Sequence, residues 1–123
     1  MKSKILVVDD NKFILDLISY VLDNEGYNVE VSNKAEGLLN KIEAAHPSLI
    51  ILDVSLPDGD GRDLCRQIKE TQTFKKIPVV MCSGRSDIGD VVHQQGAPDG
   101  VLRKPFDMNQ LLRMVEDKLS LAA

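Results

Sequence analysis

Acidic, hydroxyl and basic side chains stand at the ends of the short apolar segments of this 123-residue chain. Asp9 and Asp10 follow the first segment, and Asp53 interrupts the third. Ser83 ends the fourth segment, and Lys104 comes soon after the fifth. If these segments are parallel strands of one sheet, their carboxyl ends lie along one edge, where such sheets bind ligands. The five side chains would then share one site.

The aspartates limit the chemistry that such a site can support. Crowded carboxylates repel one another, and their pKa values rise unless a cation shares the site. Mg²⁺ fits this group, because it binds through a few carboxylates and keeps several waters. Lys104 and Ser83 suit an anionic group such as phosphoryl, and an aspartate can be the nucleophile that forms an aspartyl phosphate. The residues predict an acceptor, a metal site and an anion clamp.

Each residue also has a purely structural explanation. An Asp-Asp pair after a strand often only caps the next helix, and this also fits Asp10. Ser83 alone is uninformative, and Lys104-Pro105 alone could be a turn between a strand and a helix. Asp53 is harder to explain in this way, because a charge in an apolar buried strand is unfavourable unless it is paired or metal-bound. The combination at successive strand ends therefore favours function.

The pattern of apolar residues predicts the elements that position this group. Strands are predicted at Lys4–Val8, Tyr27–Ser32, Ser48–Val54, Val79–Ser83 and Val101–Leu102. Helical spacing predicts helices across Asn11–Glu25, Ala35–Ala45, Leu64–Ile68 and Met108–Leu119. Asn33 with Glu36, and Asp107 with Gln110, are placed as capping boxes. Strands that alternate with helices predict a doubly wound α/β fold with a parallel sheet, in one domain spanning residues 1–123.

Composition excludes several classes of protein. The net charge of −4, with no basic cluster and few aromatic residues, argues against nucleic-acid binding by this chain. No apolar segment approaches the roughly 20 residues of a membrane helix, and the N-terminal apolar segment is too short for a signal peptide. We therefore expect a cytoplasmic protein. Cys65 and Cys82 lack metal-ligand spacing and are expected to be buried free thiols.

Four motifs resemble, in order, those of the receiver domain of two-component response regulators: VVDDN, LDVSLPDGDG, VVMCSG and LRKPF. The resemblance covers the whole chain and implies a five-stranded, flavodoxin-like (βα)5 fold. It implies that Asp53 accepts a phosphoryl group. It also implies that Asp10, Asp53 and the main-chain carbonyl of Ser55 bind Mg²⁺ directly, with Asp9 acting through a metal-bound water.

The resemblance implies partners and further roles. Lys104 would pair with one phosphoryl oxygen, Ser83 would hydrogen-bond another, and the Lys104-Pro105 bond would be cis. The donor would be a phosphohistidine of a sensor histidine kinase or phosphotransfer protein, for which small acyl phosphates can substitute. The chain would be a signalling phosphoacceptor that slowly dephosphorylates itself and controls a downstream protein or output domain, rather than an enzyme in the usual sense.

The chain also departs from the family pattern. Val101 stands where the family often has an aromatic switch residue, and Arg85 follows Gly84 at a position that tunes dephosphorylation. The stretch Ser83–Gly96 is shorter than usual, and it is rich in glycine and polar residues. We therefore predict that Gly84–Gln95 forms a short or mobile fourth helix that orders on phosphorylation.

Three other functions remain open from the residues. A haloacid-dehalogenase-type phosphatase also uses an aspartyl nucleophile, but it has two aspartates separated by one residue, whereas Asp9 and Asp10 are adjacent. A flavodoxin-like nucleotide- or flavin-binding protein is disfavoured, because the chain has neither GxxxxGK[ST] nor GxGxxG. The third is a receiver that is never phosphorylated and serves as a scaffold. The presence of every acceptor residue argues against it.

Overall fold

The computed structural model describes residues 3–84 and 96–122. In chain order the elements are β1 (Lys4–Val8), α1 (Lys12–Asn24), β2 (Asn28–Ser32), α2 (Leu38–Ala45), β3 (Leu49–Asp53), β4 (Ser55–Leu56), β5 (Gly59–Asp60), α3 (Gly61–Glu70), β6 (Val79–Ser83), β7 (Gly100–Arg103) and α4 (Met108–Ala122). The predicted fourth helix falls on residues 85–95, which lie outside the described residues. None of the helices in the described ranges is both long enough and apolar enough to cross a membrane.

Five parallel strands form the central sheet in the order β2-β1-β3-β6-β7. The order reverses at β1, which lies between β2 and β3, so this is a doubly wound sheet as predicted. Helices α1 and α4 pack on one face, and α2 and α3 pack on the other. Because both faces are covered, the central strands are apolar along most of their length, with Asp53 and Ser83 at the carboxyl ends of β3 and β6. The half-buried β2 lies at an edge of the sheet.

Two of the helix starts follow directly from local sequence. The side chain of Asn11 accepts a hydrogen bond from the backbone N–H of Ile14 at 3.1 Å and caps α1. At α4 the predicted capping box is confirmed. The N–H of Gln110 donates to the Asp107 carboxylate at 2.8 Å, and the N–H of Asp107 donates to the Gln110 side chain at 2.9 Å.

The predicted start of α2 is wrong. The helix begins at Leu38, with Gly37 rather than Asn33 at the N-cap. The backbone N–H groups of Ala35 and Glu36 donate to the carboxylate of Asp58, which lies 23 and 22 residues further along the chain. A distant side chain therefore satisfies the Glu36 amide that the predicted capping box would have used, together with the neighbouring amide of Ala35.

The segment after β3 is more regular than the loop that its proline and glycines suggest. Strands β4 and β5 form a short antiparallel hairpin, with Ser55 opposite Asp60 and Leu56 opposite Gly59. Pro57 and Asp58 form its turn. The hairpin leads directly from β3 into α3 and lies at the carboxyl edge of the sheet.

Candidate functional site

The predicted aspartates meet at the carboxyl edge of the sheet. Asp9 and Asp10 follow β1, and Asp53 is the last residue of β3. Strands β1 and β3 are paired with Val8 opposite Leu52, so Asp9 and Asp53 are at the same level of the sheet. One carboxylate oxygen from each of the three aspartates lies within 4.8 Å of the other two. Asp9 and Asp53 are buried and Asp10 is exposed.

The structural explanation of Asp10 does not hold. Asn11, and not Asp10, caps α1. Asp9 accepts a hydrogen bond from the N–H of Asn11 at 2.9 Å, which fixes its carboxylate at the start of the helix. The exposed carboxylate of Asp10 therefore stays beside Asp9 and Asp53 without a capping role.

Lys104 reaches this cluster from the end of β7. Its Nζ lies 2.9 Å from Asp9 Oδ2 and 3.5 Å from Asp53 Oδ1. Burial opposes the charge of this ammonium, but the hydrogen bond to Asp9 and the attraction of Asp53 outweigh burial and raise the pKa of Lys104. The Lys104-Pro105 peptide bond is cis, as the resemblance implied. The lysine is thus held as a cation between two carboxylates.

The cluster remains electrostatically unfavourable for Asp53. Burial is the main cause that raises the pKa of this carboxyl, and repulsion from Asp9 adds to it. Lys104 and the backbone N–H of Ser55 lower the pKa but do not cancel these effects. A cation at this position would relieve the repulsion. The donors are all carboxylate oxygens, and a hard divalent ion such as Mg²⁺ prefers oxygen ligands. The residues therefore fit the metal that the sequence predicts.

The two predicted serines lie beside the aspartates. Ser83 is the last residue of β6, 3% exposed, and the preceding Cys82 pairs with Asp53 across the sheet. The main-chain carbonyl of Ser83 accepts a hydrogen bond from the N–H of Lys104 at 2.9 Å, which joins the ends of β6 and β7. Ser55 starts β4, and its N–H donates to the Asp53 carboxylate. The elements therefore bring the whole predicted set to one edge.

Gly61 and Asp58 are two residues near the site whose roles sequence reasoning missed. A Cβ on Gly61 would lie 2.1 Å from the carbonyl oxygen of Asp53, so a larger residue would force the backbone apart. The N–H of Gly61 donates to the Val54 carbonyl at 2.7 Å and closes the hairpin onto β3. Gly61 is the last residue of the LDVSLPDGDG motif, and its place in that motif is the sequence feature that could have indicated its role. No local signal marks the bonds that Asp58 makes to the distant Ala35 and Glu36.

Comparison with known proteins identifies the family. The model of the response regulator receiver domain matches residues 5–116. The chain is 35% identical over 112 residues to the alkaline phosphatase synthesis transcriptional regulatory protein PhoP of Bacillus subtilis (strain 168). This match covers 90% of the chain and 46% of PhoP, so the chain spans about half the length of that relative.

Solved structures show the same architecture. The CheY-like receiver domain protein of Methanospirillum hungatei JF-1 superposes with a TM-score of 0.90 at 29% identity, covering 99% of this chain and 97% of that one. NtrX from Brucella abortus gives a TM-score of 0.87 at 32% identity, covering 99% of this chain but 28% of NtrX. The receiver domain of a histidine kinase from Syntrophus aciditrophicus gives 0.87 at 30% identity, covering 96% and 90%.

The fold and the acidic edge of the sheet define a signalling domain of two-component systems. The chain belongs to the response regulator receiver domain family. The family match argues against the phosphatase and the flavodoxin-like protein that the residues left open.

Proposed function

We propose that this chain accepts a phosphoryl group on Asp53 in a Mg²⁺-dependent reaction. The observation that carries the proposal is the grouping of three carboxylates within 4.8 Å of one another around a lysine. A metal site alone would not need Lys104, and an ion pair alone would not need three aspartates. A lysine beside an acidic metal site suits a ligand that is itself anionic.

The buried carboxylate of Asp53 is the nucleophile. One of its oxygens attacks the phosphorus of the donor, and the bond from phosphorus to the donor's leaving atom breaks, with its electron pair staying on the leaving atom. Lys104 then moves its hydrogen bonds from Asp9 and Asp53 to a phosphoryl oxygen. The Ser83 hydroxyl donates to another phosphoryl oxygen. The roles of these groups are positioning and charge stabilisation.

The metal is assigned to the same edge. Asp10, Asp53 and the main-chain carbonyl of Ser55 would hold Mg²⁺ directly, and Asp9 would hold it through water. When bound, the ion would offset the negative charge of the phosphoryl oxygens and of the aspartates. Asp9 also orients Lys104, because it accepts the shorter of the two contacts from Nζ.

The proposed setting is a cytoplasmic phosphorelay. The donor is a phosphohistidine on a sensor histidine kinase or histidine phosphotransfer protein, and the phosphorylated domain controls a downstream protein or an output domain. Residues 1–123 act as one receiver unit in this proposal. Slow hydrolysis of the aspartyl phosphate returns the domain to its starting state.

Intact mass spectrometry after incubation with acetyl phosphate tests the proposal. We expect one phosphoryl adduct that requires Mg²⁺ and is lost in Asp53→Asn. Asp63→Asn is the matched control, because Asp63 is an exposed aspartate of α3 outside the cluster. A folded protein that forms no adduct, or an adduct that survives in Asp53→Asn, would contradict the proposal. The first of these results would favour a scaffold that is not phosphorylated.

A further inference from the structure

Asp58 joins two loops that are far apart in sequence. It lies in the turn between β4 and β5, and its carboxylate accepts hydrogen bonds from the N–H of Ala35 at 2.7 Å and of Glu36 at 2.9 Å. The same loops are in close contact beside these bonds, where a Cβ on Gly59 would lie 3.0 Å from the Cβ of Ala35. Two hydrogen bonds thus hold the tip of the β4–β5 hairpin against the loop that precedes α2.

The base of this hairpin is part of the acidic site. Ser55 opens the hairpin, pairs with Asp60 across it, and donates its N–H to the Asp53 carboxylate. Gly61 closes the hairpin through its bond to Val54. The hairpin is short and paired, so a displacement of its tip moves the Ser55 peptide as well. The hydrogen bonds that Asp58 accepts therefore influence the position of the Ser55 peptide beside Asp53.

We propose that Asp58 is a positioning residue for the metal site, acting through the hairpin on the Ser55 peptide. This inference rests on the proposed function, in which the Ser55 carbonyl is a metal ligand. A carboxylate suits the role, because its two oxygens accept from two adjacent amides at once. Asp58 itself is exposed, so its contribution to hydrophobic packing is small.

A Mg²⁺ titration followed by NMR on the amide of Ser55 tests this role. The N–H groups of Ala35 and Glu36 donate to different oxygens of Asp58, and asparagine replaces one of these oxygens with an NH₂ donor, so Asp58→Asn loses one of the two bonds in this geometry. We expect the dissociation constant for Mg²⁺ to rise about three- to tenfold. Loss of a residue that supports a metal ligand usually weakens metal binding by about tenfold or more, so this is a small effect of that kind. Asp63→Asn removes the same surface charge and should leave the dissociation constant unchanged.

Phosphorylation by acetyl phosphate separates positioning from a general loss of structure. In Asp58→Asn, the Mg²⁺ concentration that gives half-maximal phosphorylation should rise by the same factor, while the rate at saturating Mg²⁺ matches the wild type. A reduced rate at saturating Mg²⁺ with an unchanged dissociation constant would overturn the inference.

A second pair of variants tests the contact without a change of charge. Gly59→Ala places a methyl group against Ala35 and should weaken Mg²⁺ binding by pushing the loops apart. The double variant Gly59→Ala with Ala35→Gly lacks the Cβ of residue 35 that the new methyl group would meet, and it should bind Mg²⁺ like the wild type.

If the wild type binds Mg²⁺ and forms the Asp53 adduct, and all of these variants bind Mg²⁺ equally well, the inference fails and the proposed function stands. If the wild type binds no Mg²⁺ and forms no adduct, the proposed function fails, and the inference falls with it.

Discussion

Asp53 carries a charge that the fold by itself does not favour. Its carboxylate ends a strand in which every residue is buried, and a second buried carboxylate lies close to it. Lys104 offsets part of this repulsion, yet the pKa of Asp53 stays raised. Groups with raised pKa values in a cluster of this kind often belong to functional sites, because packing alone would favour an apolar residue there.

This imbalance predicts that Asp53→Asn stabilises the protein in buffer with EDTA. Because the folded state raises the pKa of Asp53, ionisation of this carboxyl lowers stability as the pH rises through the folded pKa. At pH 7 the asparagine variant lacks this penalty, so its free energy of unfolding should be higher than that of the wild type. Urea unfolding at pH 7 and below pH 3.8 measures the difference, which should disappear at the lower pH. An equally large difference at both values would refute the electrostatic cause.

Asp58 shows the opposite dependence on pH. The hydrogen bond from Ala35 is the main cause that lowers the pKa of this carboxyl, and the bond from Glu36 and the charge of Lys34 act in the same direction. A lowered folded pKa gives stability that is present above the ordinary value of 3.8 and is lost as the pH falls through the folded pKa.

Thermal unfolding of the wild type and Asp58→Asn should therefore show the wild type more stable at pH 7. The difference in unfolding temperature between the two proteins should decrease progressively below pH 3.8. A gap that is constant across this range would mean that the charged form of Asp58 makes no special contribution.

Among the elements, α4 depends most clearly on its local sequence. Asp107 and Gln110 satisfy each other's backbone N–H groups at the start of the helix. Asp107→Ala should lower the free energy of unfolding by about 1 kcal/mol, as the loss of an N-cap side chain usually does. Asn109→Ala changes an exposed residue in the same turn and is the control. Chemical denaturation checks both variants, and equal losses would show that Asp107 has no special capping role.

The sequence predicted best the features that depend on neighbouring residues, and it failed for features that depend on contacts between distant parts of the chain. The strands that end at or just before Asp9, Asp53 and Ser83 were predicted to within about a residue, because buried parallel strands are largely continuous apolar segments. The site followed from the rule that the carboxyl ends of such strands converge. The start of α2 could not be predicted, because Asp58 reaches Ala35 across 23 residues. The β4–β5 hairpin was missed for a related reason. Its strands have two residues each, too few to show an alternating pattern.

At the scale of the whole molecule, the sheet separates two apolar layers. Cys65 of α3 belongs to the layer that also contains α2, and Cys82 of β6 faces the layer of α1 and α4. Alternate residues of the central strands point into opposite layers, as Leu6 and Val7 of β1 do. Each thiol therefore reports on one layer, although both layers share the same strands.

The two thiols should become reactive together when the protein unfolds. Burial raises the pKa of Cys65 to about 11 and that of Cys82 to about 12, so both are protonated and inaccessible in the native state at pH 8. Brief labelling with iodoacetamide across a urea series, read by peptide mass spectrometry, should give the same midpoint for each. Shared strands couple the layers, and a domain of this size usually unfolds in one step. Cys65→Ser and Cys82→Ser identify the labelled peptides. Two separate midpoints would show that one layer opens while the other remains packed, and the sheet would then not couple them.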